Sequence, residues 1–499
     1  MLLQKIAVSL SLAIMGVGFS GNLLAEEKAD AAQDPVLKQV NSANFKNLGP
    51  YYDMWMASKK DSKFEDMTAT HPGFAILQAD KESATGSSLN GLRGHYYAWL
   101  DFAASARTGE IGSRCLLCHS SGAPAIIERD GELALLSKTW KDYAKEGANT
   151  IGCSNCHDTN TFQLRVAPKW LDKELQKAGL PTFAESSKTV QKRLVCAQCH
   201  YEDYRTHQSW KDKDGKELTA DLSTTPWKYG FTLDAMERFY NDGKNFSDGK
   251  PFVDIVNPIS KTPLVWVEHP DFELFTVGIH GKNGLACTDC HMGKDQKTGI
   301  TNHTVGNPLE NFENTCARCH DKPKQFYVDL LGERKAKARK LRDEAIENIA
   351  KAHLDAGAAW KAGATEAEMA PVLADIRSAY FKLNSLIRAA WFHNTEETFN
   401  GLADALYKSE RARRTSLDIM TKHGVKKYVT PSIKTKEEAE AIVGVKNRHG
   451  AIAQQCKDYE KEVPEIIETA RKAGLFDENS AWNDHVDSWI KTYCPKPTK

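Results

Sequence analysis

The sequence predicts a mainly α-helical protein with little sheet, in which an irregular N-terminal part is followed by long C-terminal helices. Two observations lead to this prediction. Residues 26–325 contain five copies of one short cysteine motif, separated by irregular segments dense in Gly, Pro, Asn and aromatic residues. From about Tyr327 the composition changes to Ala, Lys, Glu, Arg and Leu, which mostly favour helix. We therefore expect two regions, 26–325 and 326–499, the second of them helical.

The overall composition is that of an ordinary globular chain. Of the 499 residues, 41% are hydrophobic and 26% are charged, which excludes a mostly disordered protein. Lys and Arg number 66 and Asp and Glu also number 66, so the net charge is zero. A chain without an excess of one charge has no general attraction for nucleic acid, and we expect no nucleic-acid partner.

The first 25 residues have the pattern of a secretory signal peptide. Lys5 supplies a positive charge, residues 6–19 form an apolar run, and Ala25 ends a short segment suited to cleavage. We predict cleavage after Ala25 and a periplasmic location. The alternative is an uncleaved anchor, since residues 2–24 are nearly long enough to span a bilayer.

Ten of the twelve cysteines fall in a repeated pattern, Cys-x-x-Cys-His. Composition alone would produce roughly 0.01 copies in a chain of this length, so five copies indicate a function. The first cysteines are Cys115, Cys153, Cys196, Cys287 and Cys316, and the second cysteines are Cys118, Cys156, Cys199, Cys290 and Cys319. The histidines that follow are His119, His157, His200, His291 and His320.

This spacing suits the covalent attachment of c-type haem. Two thiols three positions apart reach the two vinyl groups of one porphyrin, and the imidazole of the next residue then binds the iron as its proximal ligand. Zinc sites are the alternative, but zinc needs four ligands per site, and a histidine after every second cysteine would have no role there. We predict five covalently bound c-type haems and a multihaem cytochrome c fold, whose N-terminal part wraps the porphyrins.

Two cysteines, Cys456 and Cys494, lie outside the motifs, and no histidine follows either of them. In an oxidising compartment we expect a disulfide between them that closes the C-terminal tail. Two free buried thiols are the alternative.

The C-terminal region shows helical periodicity. One apolar series recurs at helical spacing: Leu341, Ala345, Ile349 and Ala352. A second stripe alternates steps of four and three residues: Met369, Leu373, Ile376, Tyr380, Leu383, Ile387 and Ala390. Pro371 indicates that this helix starts nearby, because proline is tolerated at a helix start and not in its interior. Such a stripe predicts either an intramolecular core or a subunit interface.

Counting histidines does not reveal an open iron. The five proximal histidines leave eleven of the sixteen, enough to cap every iron on its second face. An electron-relay haem usually takes a second histidine, whereas a catalytic haem leaves one face for substrate. The count is therefore compatible with an enzyme and with an electron-transfer protein.

Several longer stretches accompany the motifs. They are residues 93–98 (RGHYYA), 107–109 (RTG), 269–273 (HPDFE), 278–281 (GIHG), 287–292 (CTDCHM), His303 and 306–312 (GNPLENF). In these stretches, and in the order and spacing of the five motifs, the chain resembles the pentahaem, ammonia-forming cytochrome c nitrite reductases. The resemblance runs from about Tyr51 to Leu406.

This resemblance implies four haems capped by histidine and one open haem. By position, His303 would cap the second haem, His95 the third, His393 the fourth and His280 the fifth. The first haem, on His119, would bind nitrite through nitrogen, with Arg107 and His269 on its distal side. Composition alone would suggest a solvated Arg107 and a structural His269; the resemblance assigns both to the active site.

Three features depart from the family pattern, and the first two are beside the haem motifs. The first motif ends in His119 where most members have Lys, which changes the proximal donor and should shift the potential of the iron. After the third motif the family has Glu-Tyr, with the tyrosine in the active site, whereas here Asp203 stands at that position and Tyr204 one later. Either Tyr204 turns inward or Asp203 replaces the phenol. An ionised Asp203 would repel nitrite. Its carboxyl group would therefore need to be protonated or paired with Arg107.

The resemblance also implies a calcium ion beside this site. The matching positions are the Glu202 side chain, the backbone carbonyls of Asp203 and Trp266, and the Glu268 side chain. Carbonyl ligation does not depend on residue type, and Glu268 keeps the oxygen donor that the family supplies from Gln. Calcium accepts such an oxygen set, and we expect the site to be retained.

The implied function is the six-electron reduction of nitrite to ammonium. Arg107 would attract the anion and stabilise charge that develops on its oxygens, and His269 would donate protons. The resemblance further implies a homodimer built on the C-terminal helices and a membrane-associated quinol-oxidising cytochrome as electron donor.

Two other functions are compatible with the residues. A pentahaem electron-transfer protein would have its first haem capped as well, with His71, His207 and His353 as candidates for the cap. A reductase of hydroxylamine or sulfite would keep the catalytic haem but change the substrate, and the Asp203 position makes this a serious alternative.

Overall fold

The structure, a computed structural model, describes residues 45, 47–58, 64–66, 70–77, 88–90, 94–99, 113–143, 150–211, 214–388 and 391–444. The predicted signal peptide, Arg107, Ala390 and the cysteines at 456 and 494 lie outside these ranges. None of the helices within them is long and apolar enough to cross a membrane.

Before residue 324 the described residues form short helices joined by irregular segments. The α-helices are α1 (Pro50–Met56), α2 (Phe74–Leu77), α3 (Leu116–His119), α4 (Ala123–Asp130), α5 (Glu132–Leu136), α6 (Cys153–Cys156), α7 (Lys169–Lys177), α8 (Lys188–Ala197), α9 (Leu233–Asn241), α10 (Asp271–Val277), α11 (Ile279–Lys282) and α12 (Cys287–His291). Turns of 3-10 helix lie at His95–Tyr97, Ser113–Cys115, Trp140–Tyr143, Trp227–Tyr229, Gly243–Asn245, Pro308–Asn314 and Cys316–Arg318.

Sheet is scarce in the described ranges and consists of antiparallel strand pairs. The strands are β1 (Phe64–Asp66) with β2 (Ser88–Asn90), β3 (Tyr204–Lys211) with β4 (Glu217–Thr224), and β5 (Ile255–Val256) with β6 (Pro263–Leu264). The β3–β4 hairpin, with Tyr204 opposite Thr224, follows the third motif directly. The mainly α-helical class with little sheet is confirmed.

Long helices occupy the C-terminal region. They are α13 (Lys324–Lys361), α14 (Glu366–Arg388) and α15 (Thr395–Lys422), followed by the short α16 (Lys436–Val443). As predicted, α14 begins near Pro371. Its apolar stripe faces the interior, where Met369, Ile376 and Leu383 are at most 1% exposed. The stripe therefore contributes to an intramolecular core, which α13 and α15 share.

A buried carboxylate ties the helices together. Asp355 on α13 is fully buried and accepts hydrogen bonds from Arg413 on α15, at 2.9 Å, and from Tyr428 and Thr430, at 3.0 and 2.6 Å. A buried charge is tolerated when it is paired and hydrogen-bonded in this way. The same core receives α2 from the N-terminal part, through Phe74 and its neighbours.

A second apolar cluster surrounds the first cysteine motif. Its buried members include Trp55, Tyr96, Tyr97, Trp99, Leu116, Leu117, Trp170, Leu194 and Tyr201. These residues come from α1, α3, α7 and α8, from residues 96–99 and from the segment after the third motif, so the first and third motifs rest on one aromatic-rich core. Aromatic side chains supply large buried areas here in place of long secondary-structure elements.

Candidate active site

Each cysteine motif forms or ends a helical turn. In the second, third and fifth motifs the histidine N–H donates to the carbonyl of the first cysteine, as in His157 to Cys153 at 2.9 Å, His200 to Cys196 at 3.0 Å and His320 to Cys316 at 2.9 Å. Residues three apart on a helical turn lie on one side of it. The two thiols of a motif are therefore presented together, as attachment to one porphyrin requires.

The motifs lie close to one another in space, with the third at the centre. Its Cys199 thiol contacts Cys118 of the first motif, and its Cys196 thiol contacts Cys287 of the fourth. Cys156 of the second motif interacts electrostatically with both Cys196 and Cys199. Cys290 of the fourth motif interacts in the same way with both cysteines of the fifth. The third motif is therefore a branch point between the first, second and fourth.

Among the described residues, five pairs of imidazole rings approach one another, and four of these pairs share no histidine with one another; the fifth, His200 with His269, uses the His200 ring a second time. The centroid separations in the four pairs are 6.3 Å for His95 and His200, 6.2 Å for His157 and His303, 6.1 Å for His291 and His393, and 6.2 Å for His280 and His320. An imidazole nitrogen binds a transition metal at about 2 Å, so two rings on opposite sides of one ion have centroids roughly 6 Å apart. Each pair thus has the spacing of a bis-histidine metal site. They are the same four pairs that the resemblance assigns to the second to fifth haems.

Hydrogen bonds at Nδ1 orient several of these rings. The Nδ1 atoms of His119, His157, His291 and His303 lie 2.8–3.0 Å from the backbone carbonyl oxygens of Ala98, Phe162, Gly306 and Thr301. A carbonyl can only accept, so Nδ1 carries the proton and Nε2 keeps the lone pair that binds a metal. His119 has the same arrangement as the paired histidines, which fits its predicted role as a proximal ligand.

A carboxylate instead of a carbonyl holds His393. One oxygen of Asp271 lies 2.8 Å from Nδ1 of His393, and the other lies 3.6 Å from Nδ1 of His200. Burial raises the pKa of Asp271, but the two imidazoles outweigh this effect and hold that pKa well below its usual range. Asp271 is therefore ionised and stands between two of the histidine pairs.

Asp203 is buried and paired with Arg114, a residue that the sequence analysis did not name. Its carboxylate accepts a hydrogen bond from the guanidinium of Arg114 and another, at 3.2 Å, from the hydroxyl of Tyr201. Arg114 also donates to Ser223 at 2.8 Å. Arg107, the predicted partner, lies outside the described residues. Sequence analysis missed Arg114, although its position directly before Cys115 could have signalled it.

Tyr204 points away from the first motif, so the expectation that its phenol turns inward is wrong. Its ring packs against Phe239, Tyr240, Phe246 and Phe252, with centroids 5.1–5.8 Å away, in the core that the long helices share. β-strand geometry explains this, because successive side chains point to opposite sides of the chain and Asp203 takes the other side. Burial raises the pKa of Tyr204 to about 12, which keeps the phenol neutral.

The phenol that does lie beside the first motif belongs to Tyr201. Its ring stacks on Trp170 with centroids 4.2 Å apart, and its hydroxyl donates to Asp203. Tyr201 also interacts electrostatically with Cys118 and Arg114. The structure therefore places an acid and a phenol, in contact with each other, beside the first motif.

Buried acids join the segment after the third motif to the segment before α10. Glu202 accepts hydrogen bonds from the Tyr240 hydroxyl and from the Glu268 backbone N–H, both at 2.8 Å. Its own N–H donates to Glu273, which also accepts from the Trp227 indole. Burial raises the pKa of Glu202 well above its usual value and that of Glu273 to about 8. Two predicted calcium donors, Glu202 and Glu268, are thus adjacent.

His269 lies beside the third motif at the start of α10. Its ring centroid is 6.4 Å from that of His200, and its carbonyl accepts a hydrogen bond from Asp271 at 2.7 Å. The N–H of Phe272 donates to the carbonyl of His200 at 3.1 Å. The neighbouring Glu268 interacts electrostatically with His119. The 268–269 segment is therefore close to both the first and the third motif.

The three alternative caps for the first haem each have partners away from the motifs. His353 is fully buried in α13, with Nδ1 2.7 Å from the Ser260 hydroxyl. His71 lies 3.1 Å from Arg342 on the same helix. His207 lies on the β3–β4 hairpin, 3.1 Å from Asp221. Each of the three rings is therefore hydrogen-bonded to a residue outside the cysteine motifs.

Comparison with known proteins identifies the chain's relatives. Residues 41–474 match the family described as Cytochrome c552. The cytochrome c-552 of Aliarcobacter butzleri is 34% identical over 465 residues, which cover 89% of this chain and 91% of that protein. The cytochrome c-552 of Desulfotalea psychrophila is 33% identical over 504 residues, which cover 96% of this chain and 97% of that protein.

A solved structure gives the same result. The catalytic subunit of cytochrome c nitrite reductase from Desulfovibrio desulfuricans, described as having two calcium sites, superposes with a TM-score of 0.66 and 26% identity, over 78% of this chain and 88% of that one. The resemblance is confirmed. The five Cys-x-x-Cys-His motifs, together with these similarities, show that the chain binds c-type haems covalently. The chain belongs to the cytochrome c552 family.

Proposed function

We propose that the chain is a multihaem reductase that takes nitrite to ammonium with six electrons at its first haem. The observation that carries this proposal is the set of four facing imidazole pairs, which accounts for the second to fifth motifs and leaves His119 as the remaining motif histidine. The solved relative is a cytochrome c nitrite reductase, which makes nitrite the first substrate to consider.

In this proposal the four pairs are the axial ligands of four relay haems. When bound, c-type haems store and deliver electrons, and a haem with a free face supplies a binding position for the nitrogen of nitrite. His95, His280, His303 and His393 would be the distal ligands. The contacts between cysteines support a relay in which the third motif lies between the first motif and the second and fourth.

The side chains around the first motif would do the remaining chemistry. Arg107 would attract the anion and stabilise negative charge as the N–O bonds break. His269 would donate protons, as an imidazole can near neutral pH. Asp203, held by Arg114, would present a neutralised carboxylate beside the substrate instead of a repelling one. Tyr201 would replace Tyr204 as the phenol of the site.

We further propose that the residues at 202, 203, 266 and 268 hold calcium. The donor set suits this hard cation, with two carboxylates and two carbonyls. Glu202 is fully buried, and its two oxygens accept hydrogen bonds from the Tyr240 hydroxyl and the Glu268 N–H, which fix the carboxylate beside the other proposed donors. Among the described residues no three Asp, Glu, His or Cys side chains converge as ligands, but this donor set uses only two.

Calcium removal tests this site. Purified protein is expected to contain calcium at Glu202. The Glu202→Gln variant should lose it, because one charge and one oxygen donor are removed, and the affinity for calcium should fall at least tenfold. Elemental analysis after dialysis against a chelator measures it. Glu273→Gln is the control. Glu273 is a neighbouring acid that accepts a hydrogen bond from the Glu202 N–H and is not a proposed calcium donor. Wild-type protein free of calcium, or equal loss in both variants, would contradict the site.

The proposed reaction has a direct assay. Purified holoenzyme with reduced viologen and nitrite is expected to form ammonium with the oxidation of about six viologen radicals per ammonium, since nitrite nitrogen gains six electrons. Viologen absorbance and ammonium are measured together. No ammonium, or nitric oxide as the main product, would contradict the proposal.

Competing substrates are tested in the same assay. Asp203 in place of the family's tyrosine is the observation that favours a second candidate, a reductase of hydroxylamine or sulfite. Sulfite or hydroxylamine turned over with a higher kcat/KM than nitrite would establish that candidate. An absence of any turnover, with all haems low-spin, would indicate an electron-transfer protein.

The location and assembly follow from the same proposal. We propose that residues 1–25 are removed, that residues 26–325 form the haem-binding region in the periplasm, and that residues 326–499 are the helical region. A homodimer through the C-terminal helices and a membrane-associated quinol-oxidising cytochrome as donor complete the proposed system.

A further inference from the structure

We propose that Asp271 is a positioning residue shared by two haems. Its carboxylate is hydrogen-bonded to His393, which faces His291 of the fourth motif, and its second oxygen lies 3.6 Å from Nδ1 of His200 of the third motif, so that the bond and the charge together set the potentials of both irons. This inference rests on the proposed assignment of the imidazole pairs as axial ligands. It adds a residue that acts through those ligands, without contacting substrate.

The geometry places one carboxylate oxygen on each imidazole. One oxygen of Asp271 lies 2.8 Å from Nδ1 of His393 and the other 3.6 Å from Nδ1 of His200. These two rings belong to different pairs, since His200 faces His95 and His393 faces His291. The side chains of Asp271 and His393 are only 15% and 21% exposed, so water screens the charge little at His393, whereas the His200 side chain is 51% exposed. A single negative charge therefore acts on the ligands of two neighbouring sites.

Helix α10 fixes this position from both ends. At its start, the N–H of Phe272 donates to the His200 carbonyl and Glu273 accepts from the N–H of Glu202, which docks the helix on the third motif. At its end, a Cβ on Gly278 would collide with the carbonyl oxygen of His393. Only glycine permits this close approach. Asp271, the first residue of α10, is thus held between the two histidines by the backbone around it.

The chemistry of the acceptor distinguishes His393 from four other histidines around the motifs. His119, His157, His291 and His303 each lie against a neutral carbonyl, whereas His393 lies against a carboxylate. A hydrogen bond to an ionised acceptor is roughly twice as strong as one between neutral groups. It makes the imidazole a stronger donor to the metal, which favours the oxidised iron. Asp271 should therefore lower the potential of the fourth haem through its hydrogen bond to His393, and that of the third haem through its negative charge 3.6 Å from His200.

The test is an Asp271→Asn variant of the holoenzyme. Redox titration followed by visible and EPR spectroscopy is expected to show two low-spin haems easier to reduce by about tenfold in equilibrium constant, or about 59 mV for one electron, with the others unchanged. Potentials that do not move, that move for one haem only, or that move equally for all haems would overturn the inference. The titration uses no nitrite, so it remains decisive if nitrite is not the substrate.

Two further variants separate orientation from charge. Asp289→Asn removes a carboxylate beside Cys290 that accepts from the backbone N–H of Ala286 and not from an imidazole, so it should not shift the third and fourth haems jointly. Asp271→Glu keeps the negative charge, so the potentials of the two haems should stay close to the wild-type values. The altered position of the carboxylate should nevertheless change the EPR signals of the same two haems. If the Asp271→Asn protein loses haem, the Asp271→Glu variant is the test. EPR signals that do not change, or that change for every haem, would then overturn the inference.

Discussion

Replacing Asp203 by leucine is expected to destabilise the folded protein by about 3–5 kcal/mol, the typical result of leaving one partner of a buried ion pair unpaired. Asp203 and Arg114 are 4% and 16% exposed, and their side chains are in direct hydrogen-bonding contact. Arginine cannot give up its proton in a protein, so the Arg114 guanidinium would remain charged without its carboxylate. Urea denaturation of the holoenzyme at pH 7, followed by circular dichroism, measures the loss.

The opposite variant, Arg114→Leu, is expected to destabilise the folded protein less than Asp203→Leu does, because the carboxyl group that is left unpaired can be neutralised by a proton. Burial already raises the pKa of Asp203, and removing the cation raises it further. A folded-state pKa above the unfolded value means that stability falls as pH rises, so the deficit should be larger at pH 7 than at pH 5.

Two controls show whether the pairing itself is responsible. The double variant Asp203→Leu/Arg114→Leu should recover much of the stability, since no buried charge is left. Glu333→Ala removes one partner of an ion pair whose two side chains are both 64% exposed, and it should change stability by less than about 1 kcal/mol. If Asp203→Leu were as mild as this control, the buried ion pair would be refuted.

A His269→Asn variant is expected to lower kcat/KM for nitrite by on the order of 10²-fold, the usual loss when a general acid is removed. His269 precedes Pro270 and α10, and its ring lies 6.4 Å from that of His200 of the third motif, while the neighbouring Glu268 interacts electrostatically with His119 of the first. Asparagine keeps a polar side chain of similar size but cannot release a proton near neutral pH. Initial rates with reduced viologen, compared at equal haem content, measure the effect.

His207→Asn is the matched control for this variant. His207 lies on the β3–β4 hairpin and pairs with Asp221, with both side chains at least half exposed. The same substitution there should leave the rate unchanged within about twofold, because surface changes of this kind rarely perturb a site. Equal rates for His269→Asn and wild type would remove His269 from the proposed mechanism, while normal haem content would show that folding is not the cause.

The parts of this protein that sequence predicts well are the local ones. A haem-attachment motif is complete within five residues, so its chemistry can be read without knowing the fold, and the family relationship supports it. The stripe from Met369 to Ile387 lies within the single helix α14, so its periodicity predicts the buried face correctly. The position of Tyr204 was not predictable, because the direction of its side chain depends on where the hairpin begins and on which core lies beneath it.

By itself, the sequence determined the covalent chemistry, the helical C-terminal region and the family, since each rests on neighbouring residues or on recognisable stretches. Only the tertiary structure decided which charges meet. Arg114 pairs with Asp203 across 89 positions, and Asp271 reaches His393 across 122. No sequence spacing encodes such contacts. They exist because buried charges must find partners wherever packing brings the chain together.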